Sequence, residues 1–355
     1  MKTLPKEYEF CVFSEEVRRV TATREYSNFA NYVGQDDAVE QLLDLVYSAL
    51  SDKYHRVAEN VMFAGPPSTG KTYLSTLLAN SIGTPILITD ASQINAGVTF
   101  ADKRIAGGPD TLAHLIQMLW ASKGRPLQGV PAGSFKLFHV PPMIIFIDET
   151  HGLTRKSTDA LLKATERADG KLFCRNSVLD CSNVLFIGAT TSWGKLHPAF
   201  QTRFRRIDLV APTAGEVAKI VQMNTKWDLE TCKKVVFYGS SVPREALGFA
   251  RTIERFAKRA GKPVGECVAE CAKREGIDQW GMKRQRIDIL KSLSTAPDGL
   301  ILRNLSSSVN MEGDEVAKHW LPPLMFNKPS LVMEDGGRYL ITEAGMGELR
   351  KRNLI

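Results

Sequence analysis

The chain has 355 residues, of which 43% are hydrophobic and 24% charged, an ordinary soluble composition with room for two or three domains. No apolar run approaches the roughly 20 residues of a bilayer-spanning helix, and no signal peptide is visible, so we expect no membrane association. The six cysteines form no C-x-x-C pair, which predicts reduced thiols in a cytoplasmic protein. The net charge of +7 favours a polyanionic partner.

The periodicity of apolar residues predicts four regions in chain order. Residues 1–29 show little pattern and are expected to form a strap over the domain that follows. Residues 30–211 begin with a helix over 36–51 and then alternate apolar strands with helices, which predicts an α/β domain with a parallel sheet. Residues 212–276 read as helical throughout. Residues 277–355 are predicted to begin with helices and to end as a hairpin.

A glycine-rich loop follows the first apolar strand and precedes a helix. It fits the pattern G-x-x-x-x-G-K-[ST], and its residues are Gly65, Pro66, Pro67, Ser68, Thr69, Gly70, Lys71 and Thr72. Backbone N–H groups of such a loop point at phosphate oxygens, and the helix N-terminus adds partial positive charge. Lys71 is placed to reach the β- and γ-phosphates of ATP, and Thr72 to hold Mg²⁺. A chance match in a glycine-rich turn is the alternative.

Two carboxylates end a buried strand further along the chain. Residues 143–147 are all apolar and run directly into Asp148 and Glu149. Ligands of α/β sheets bind at the carboxyl ends of the strands. Asp148 is therefore predicted to hold the Mg²⁺ shell, and Glu149 to orient and deprotonate an attacking water. The alternative, an aspartate that caps the next helix, explains one carboxylate and leaves the pair unexplained.

Three further groups follow in the order that a nucleotide site would need. Thr190 and Thr191 end the next strand, where a hydroxyl could bind the γ-phosphate or the water, although a satisfied turn is the simpler interpretation. Arg203 opens a run of three arginines in four positions, either a solvated basic face or an arginine that reaches a neighbouring subunit. Arg244 begins a helix, an unfavourable place for a cation unless a phosphate or a nearby glutamate pairs with it.

This order of motifs resembles the AAA+ ATPases, and within them the RuvB family of motors that drive branch migration at Holliday junctions. Tyr32 and Val33 lie in N-Y-V-G-Q, similar to an element that packs around adenine in that family. The resemblance makes Thr191 the sensor 1 residue, Arg203 the arginine finger and Arg244 the sensor 2 residue. It implies a P-loop ATPase domain, a helical lid and a C-terminal winged-helix DNA-binding domain.

The C-terminal region carries the more specific part of the resemblance. L-P-P-L-M-F at 321–326, followed by G-G-R-Y-L-I-T at 336–342, is similar to the RuvB winged helix. Lys328 and Arg338 flank its expected wing and are candidates for phosphate contacts. The arginines and lysines of 283–291 and 350–352 are further candidates. No base-reading signature is present, so binding to DNA is expected to be independent of sequence.

Two departures from the RuvB pattern bear on partners. The hairpin that docks onto the adaptor RuvA in that family is much shorter here, within 169–182, which argues against such docking. Residues 98–142 are longer than the family pattern and contain a glycine-, proline- and lysine-rich loop, which could contact a partner or simply be solvated. The phosphate loop also carries Ser68 and Thr69 in place of the usual glycine and leucine.

The sequence thus predicts an ATP-dependent DNA motor of RuvB type that acts on four-way junctions or duplex as a homo-oligomer, expected to be a hexameric ring. A non-translocating AAA+ loader that places a partner on DNA is the first alternative. A remodeller that acts on polypeptide and ignores DNA is the second.

Overall fold

The computed structural model describes residues 24–26, 28–52, 59–100, 103–105, 107–166, 169–326 and 329–355. The chain divides into two compact units: Val210–Ile355 with Pro66–Thr69 forms the second, and the remaining residues form the first. Most of the predicted strap lies outside the described residues. No helix in the described ranges is long and apolar enough to cross a membrane.

A five-stranded parallel sheet forms the centre of the first unit, as predicted. Its strands are β1 (Asn60–Ala64), β2 (Ile86–Asp90), β7 (Met143–Asp148), β10 (Val184–Thr190) and β11 (Phe204–Asp208). They lie in the order β11-β1-β10-β7-β2, and every neighbouring pair is parallel. The inner strands are buried on both faces, which explains their continuous apolar runs. The residues that follow each strand therefore meet at one edge.

Helices cover both faces of this sheet. One face packs against α1 (Asp36–Ser51), whose bounds match the prediction, and α2 (Lys71–Ile82). The other face is covered by α3 (Ala91–Ala96), α4 (Pro109–Ser122), α5 (Arg155–Ala164) and α6 (Pro198–Arg203). Each helix buries one apolar stripe against the sheet, which explains the amphipathic spacing of these segments.

The 98–142 insertion and the short hairpin join in one additional sheet. β5 (Gly129–Ala132) and β6 (Phe135–His139) come from the insertion, and β8 (Lys171–Phe173) and β9 (Ser177–Asp180) form the predicted hairpin. β6 pairs in parallel with β9, which gives the order β5-β6-β9-β8. The prediction of an irregular loop was wrong here, because β5 and β6 form a local hairpin and β6 pairs again with β9 some 40 residues later. A separate small hairpin joins β3 (Val98–Phe100) and β4 (Lys103–Ile105).

Four helices open the second unit and share one core. They are α7 (Ala214–Thr225), α8 (Leu229–Gly239), α9 (Pro243–Ala260) and α10 (Val264–Arg274). Cys267 and Cys271 are buried in this core from α10, so their one-turn spacing reflects helix packing. The helical prediction for 212–276 is met by this part of the structure.

The C-terminal segment combines helices with a three-stranded sheet. The helices are α11 (Arg284–Ser294), α12 (Leu302–Ser308), α13 (Gly313–Glu315), a π-helical turn at Val316–Trp320, α14 (Leu321–Phe326) and α15 (Glu343–Lys351). The strands are β12 (Leu300–Ile301), β13 (Val332–Asp335) and β14 (Arg338–Ile341), in the order β12-β14-β13.

The end of the chain differs from the prediction in one respect. The hairpin is present, and Gly336 and Gly337 form its turn with φ of 53° and 77°, a conformation that favours glycine. The chain continues beyond it into α15, which the prediction missed. Thr342 caps that helix by accepting a hydrogen bond from the N–H of Gly345 at 3.2 Å.

Candidate nucleotide-binding site

The loop between β1 and α2 contains two glycines that neighbouring atoms approach closely. A Cβ added to Gly65 would meet the carbonyl oxygen of Leu209 at 2.3 Å. Gly70 is left-handed, with φ of 88°, and a Cβ there would meet the Tyr32 hydroxyl at 2.3 Å. Both glycines let neighbouring groups approach the backbone closely, which is the geometry of a phosphate-binding turn.

The turn also forms around the two residues that depart from the RuvB pattern. Ser68 adopts a left-handed conformation with φ of 63°, which is disfavoured by about 1–2 kcal/mol in a residue with a Cβ. The Thr69 hydroxyl donates to the carbonyl oxygen of Pro66 at 3.0 Å. Pro67 is exposed. The loop therefore holds some strain at Ser68 that a glycine would not.

Lys71 begins α2 with its ammonium group turned back into the loop. The Nζ atom donates to the carbonyl oxygen of Gly65 at 2.9 Å, and the residue is only 8% exposed. A buried cation at a helix N-terminus opposes the helix dipole, so an anion bound by the loop would relieve an unfavourable local field. The neighbouring Thr72 hydroxyl makes no hydrogen bond to any described residue.

Tyr32 lies against this loop, as the predicted adenine-side element requires. Its ring stacks on Tyr73 of α2, with centroids 5.8 Å apart and an interplanar angle of 25°. Burial, together with the nearby Tyr73, raises the pKa of the Tyr32 hydroxyl well above its usual value, so the group is neutral. Val33 is half-buried beside it. The face of a base could rest against this stacked pair of rings.

The two predicted carboxylates follow β7 at the same edge of the sheet. Asp148 Oδ1 accepts the backbone N–H of Glu149 at 2.9 Å. Glu149 is left-handed, with φ of 47°, and its side chain is half-exposed. The helix-capping alternative was wrong, because the 3-10 turn Thr150–Gly152 that follows has no side-chain cap and α5 is capped by the Thr154 side chain. Both carboxylates remain available for chemistry.

A histidine and two threonines surround Glu149. The Thr191 hydroxyl donates to Glu149 Oε2 at 3.4 Å, so the predicted sensor residue reaches the predicted base. His151 Nδ1 lies 2.9 Å from the Thr190 hydroxyl and 3.3 Å from Glu149 Oε2. Thr190 is fully buried and matches the satisfied-turn interpretation, whereas Thr191 is exposed. Sequence reasoning gave His151 no role, although its place two residues after Glu149 could have suggested one.

Arg203 ends α6 and turns towards the end of α5. It donates to the carbonyl oxygen of Leu162, and its Nη2 lies 3.5 Å from the Glu166 carboxylate. The other two arginines of the run also have partners, Arg205 with a glutamate and Arg206 with an aspartate. The run is therefore not a freely solvated face. To act in a neighbouring subunit, Arg203 must leave contacts that are half-exposed and thus weak.

Arg244 lies in the first turn of α9 in the second unit, and its side chain is exposed. The adjacent Glu245 does not pair with it, because that carboxylate binds Arg286 at 2.6 Å. Among the described residues Arg244 has no hydrogen bond or ion pair. Glu245 is therefore not the nearby glutamate that the alternative requires. The prediction stays that Arg244 pairs with an anion such as a phosphate.

Known proteins match the chain well beyond its nucleotide motifs. Residues 61–211 match the model of the ATPase family associated with various cellular activities (AAA). The Holliday junction branch migration complex subunit RuvB of Kosmotoga olearia is 25% identical over 325 residues, 86% of this chain and 84% of that one. The RuvB subunit of Campylobacter hominis is 28% identical over 264 residues, 71% and 67% of the two chains. In these matches the chain resembles a divergent AAA+ ATPase of RuvB type.

Solved structures agree on the fold. The RuvB branch migration motor of Thermotoga maritima superposes with a TM-score of 0.65 over 90% of this chain and 95% of its own, at 19% identity. A single-site mutant of the same protein gives 0.68 over 91% and 97%, at 18% identity. At such identities the likeness concerns the fold alone, and it confirms the predicted AAA+ architecture.

The residues predicted to contact DNA fall into three groups: outside the described residues, exposed, or buried. Lys328 lies outside the described residues. Arg338 is exposed at the start of β14, and its Nη1 donates to the carbonyl oxygen of Gly299 at 3.2 Å. Arg284 is highly exposed, with 89% of its side chain accessible. Arg338 and Arg284 thus remain candidates for phosphate contacts.

Two other arginines of the basic runs were wrongly considered as DNA contacts. Arg286 is 9% exposed and is bound to Glu245. Only 3% of the Arg352 side chain is accessible; it binds Asp278 at 2.6 Å and also the Glu348 carboxylate. Both are buried because their carboxylate partners draw them inward, so neither guanidinium is available to a DNA phosphate.

Proposed function

We propose that this chain is an ATP-driven motor of RuvB type that moves four-way DNA junctions in recombination and repair. The observation that carries the proposal is the meeting of the phosphate loop, the Asp148–Glu149 pair and Thr191 at one sheet edge, in a chain whose similarity to RuvB continues through both units. Strand order β1-β10-β7 places the three groups on adjacent strands. That arrangement suits phosphoryl transfer to water.

The nucleotide would be held first by the backbone of the loop. The N–H groups of 65–72 and the N-terminus of α2 bind phosphate oxygens, while Lys71 neutralises the β- and γ-phosphates. Lys71 must then exchange its hydrogen bond to Gly65 for one to phosphate. Tyr32 and Val33 would flank the adenine.

Mg²⁺ fits the donor set that Thr72 and Asp148 provide. Both offer oxygen ligands, which Mg²⁺ prefers, and the described residues leave the Thr72 hydroxyl and the second oxygen of Asp148 without partners. When bound, the ion would draw charge from the phosphates. The Glu149 N–H bonded to Asp148 Oδ1 orients that carboxylate.

Glu149 is the base in this proposal. Its exposed carboxylate would accept a proton from the attacking water, and Thr191 and His151 would fix which oxygen faces that water. Arg203 of one subunit would stabilise the charge on the phosphoryl group held by its neighbour, and Arg244 would bind the same phosphates from within the subunit. Such head-to-tail contacts close into a ring, for which we propose six subunits.

The C-terminal segment is proposed to bind DNA in the cytoplasm as a winged helix. Its order of α11, β12, two helical segments, the β13–β14 hairpin and α15 supports this assignment. Glu334 and Asp335 lie at the exposed hairpin tip and would repel phosphate, so we assign contact to Arg338, which pairs with Asp335 in the strand register of the hairpin, and to the exposed Arg284 at the start of α11. Docking to a RuvA-like adaptor is not part of the proposal, since the family's long hairpin is replaced by the composite β5-β6-β9-β8 sheet.

The proposal is tested by ATP-driven dissociation of a synthetic four-way junction, with a linear duplex and the Glu149→Gln variant as controls. Junction-selective dissociation that requires ATP and Glu149 is the expected result. DNA-stimulated ATP hydrolysis without any dissociation would overturn the motor and revive the loader alternative, which the similarity to RuvB does not favour. Absence of DNA binding even at low salt would revive the polypeptide remodeller.

A further inference from the structure

A buried ion pair joins the four-helix region to the C-terminal segment within the second unit. Arg286 of α11 donates through Nη2 to Glu245 Oε2 of α9 at 2.6 Å. Only 11% of the arginine side chain and 33% of the glutamate side chain are accessible. With so little solvent around the pair, removing one partner leaves the other charge poorly compensated, which costs more than the loss of a surface pair.

Glu245 adjoins the predicted nucleotide sensor, and Arg286 lies on a helix that packs against the C-terminal hairpin. Glu245 directly follows Arg244, the predicted sensor of the nucleotide, and both belong to the first turn of α9. Arg286 lies in the first turn of α11, whose Ile289, Leu290 and Leu293 share a core with β13 and β14. A shift at the start of α9 would therefore reach the proposed DNA-binding hairpin through one ion pair and one packed helix.

The surroundings of Arg286 leave this contact room to change. Two cavities of about 620 and 430 Å³ lie beside the pair, and Arg286 lines both. Its Nε is buried and has no hydrogen-bond partner among the residues that the structure describes. Arg352 is a contrast, because its guanidinium is bound by Asp278, by Glu348 and by backbone carbonyl groups on several sides. The contacts of Arg352 hold its guanidinium in one position. Arg286 has a donor left over and space beside it, so its guanidinium can adopt a second position.

We infer that Glu245 and Arg286 form a coupling link, which passes the nucleotide state sensed at Arg244 to the C-terminal segment. They are positioning residues, since neither is assigned to nucleotide or DNA. The inference rests on the proposed function for the meaning of its two ends. Allosteric coupling is reciprocal for binding, so DNA on the C-terminal segment would also alter nucleotide affinity through the same pair.

The test compares Glu245→Gln, Arg286→Gln and the charge-reversed double variant Glu245→Arg/Arg286→Glu in the full chain. Glu254→Gln is the matched control, because it makes the same change on the same helix in an exposed pair with Lys258. For the single variants we expect basal ATP hydrolysis within about twofold of wild type and a loss of DNA stimulation of about fivefold or more. The double variant should recover stimulation, and the control should not lose it.

A second measurement does not depend on DNA. Hydrogen exchange of the 284–294 backbone should change when a non-hydrolysable ATP analogue binds to the wild type, and the single variants should abolish that change. If no DNA stimulates ATP hydrolysis by the wild type, the proposed function fails. The hydrogen-exchange measurement then still tests the coupling link, because it needs no DNA. Unchanged stimulation and exchange in the single variants would overturn the link. The link would also be overturned if the single variants lost basal ATP hydrolysis and DNA stimulation in parallel and the double variant did not recover them. If the glutamine variants do not fold, Arg286→Lys, which keeps the charge, decides the same readouts.

Discussion

Replacement of Arg203 by alanine separates a role in a neighbouring subunit from a role inside its own. Within its own subunit Arg203 contacts the Leu162 carbonyl group and lies 3.5 Å from the Glu166 carboxylate, with about a third of each charged side chain exposed. Loss of these contacts should lower stability by about 1 kcal/mol or less, because exposed pairs are screened. Loss of an arginine finger lowers turnover by about 10³–10⁵-fold, or about 4–7 kcal/mol of activation free energy.

The assay uses mixtures of two inactive variants. Arg203→Ala keeps the phosphate loop, and Lys71→Ala keeps the finger. In a ring that mixes them randomly at equal amounts, about a quarter of the interfaces join an intact loop to an intact arginine. ATP hydrolysis in the mixture should therefore approach about a quarter of the wild-type rate per subunit, while each variant alone stays near background.

The result that would refute this reasoning is a mixture no more active than its components, although size-exclusion chromatography shows mixed rings. A large fall in melting temperature for Arg203→Ala would also refute it, since the contacts to Leu162 and Glu166 would then carry more than the exposure of the pair allows. Arg206→Ala is the matched control. Arg206 pairs with Asp208 on β11, so this variant is not expected to gain ATPase activity when it is mixed with Lys71→Ala.

The remaining predictions concern the loop, the base and the Arg352 contacts. Glu149→Gln should bind ATP as the wild type does and hydrolyse it at least about 100-fold more slowly in a turnover assay; normal turnover would remove Glu149 from the mechanism. Gly70→Ala should lose ATP binding in a calorimetric titration, because its Cβ meets a tyrosine hydroxyl at 2.3 Å; Gly83→Ala, left-handed at the other end of α2 but with nothing within 4 Å, should keep binding. Arg352→Met should lower the free energy of unfolding by about 3 kcal/mol in chemical denaturation, since it leaves two partly buried carboxylates without their shared cation. Burial alone would raise the pKa of Asp278, but hydrogen bonds and charge from Arg352 outweigh it and hold that pKa below its usual value. The contribution of this pair is therefore present above about pH 4 and is lost as pH falls through the folded-state pKa, so the difference between wild type and Arg352→Met should shrink in acid.

The nucleotide edge was predictable because its chemistry is local in sequence. The loop 65–72 needs two glycines, a lysine and a threonine in consecutive positions, and the apolar run 143–147 places two carboxylates at a strand end. Hydrophobic periodicity also gave α1 its bounds, since one stripe of that helix must face the sheet. The contact between Thr191 and Glu149 follows once β7 and β10 are neighbours in a parallel sheet.

Features that depend on remote partners were not predictable in the same way. β5 and β6 carry no strong alternation, and β6 becomes a strand by pairing with β9 about 40 residues later. The same holds for charge. A run such as Arg350–Lys351–Arg352 looks uniformly solvated in sequence, yet Arg350 remains exposed while Arg352 reaches Asp278, 74 positions away.

The two buried arginines show why charge runs mislead about DNA binding in this chain. A guanidinium leaves water only where a carboxylate compensates it, and the compensating residue has no fixed spacing from it: 41 positions for Arg286 and 74 for Arg352. Once both are removed from the DNA surface, the exposed Arg338 and Arg284 remain as the arginine candidates of this segment. The salt dependence of DNA binding should accordingly be shallow for each subunit, and strong binding would require several subunits of a ring to contact one duplex.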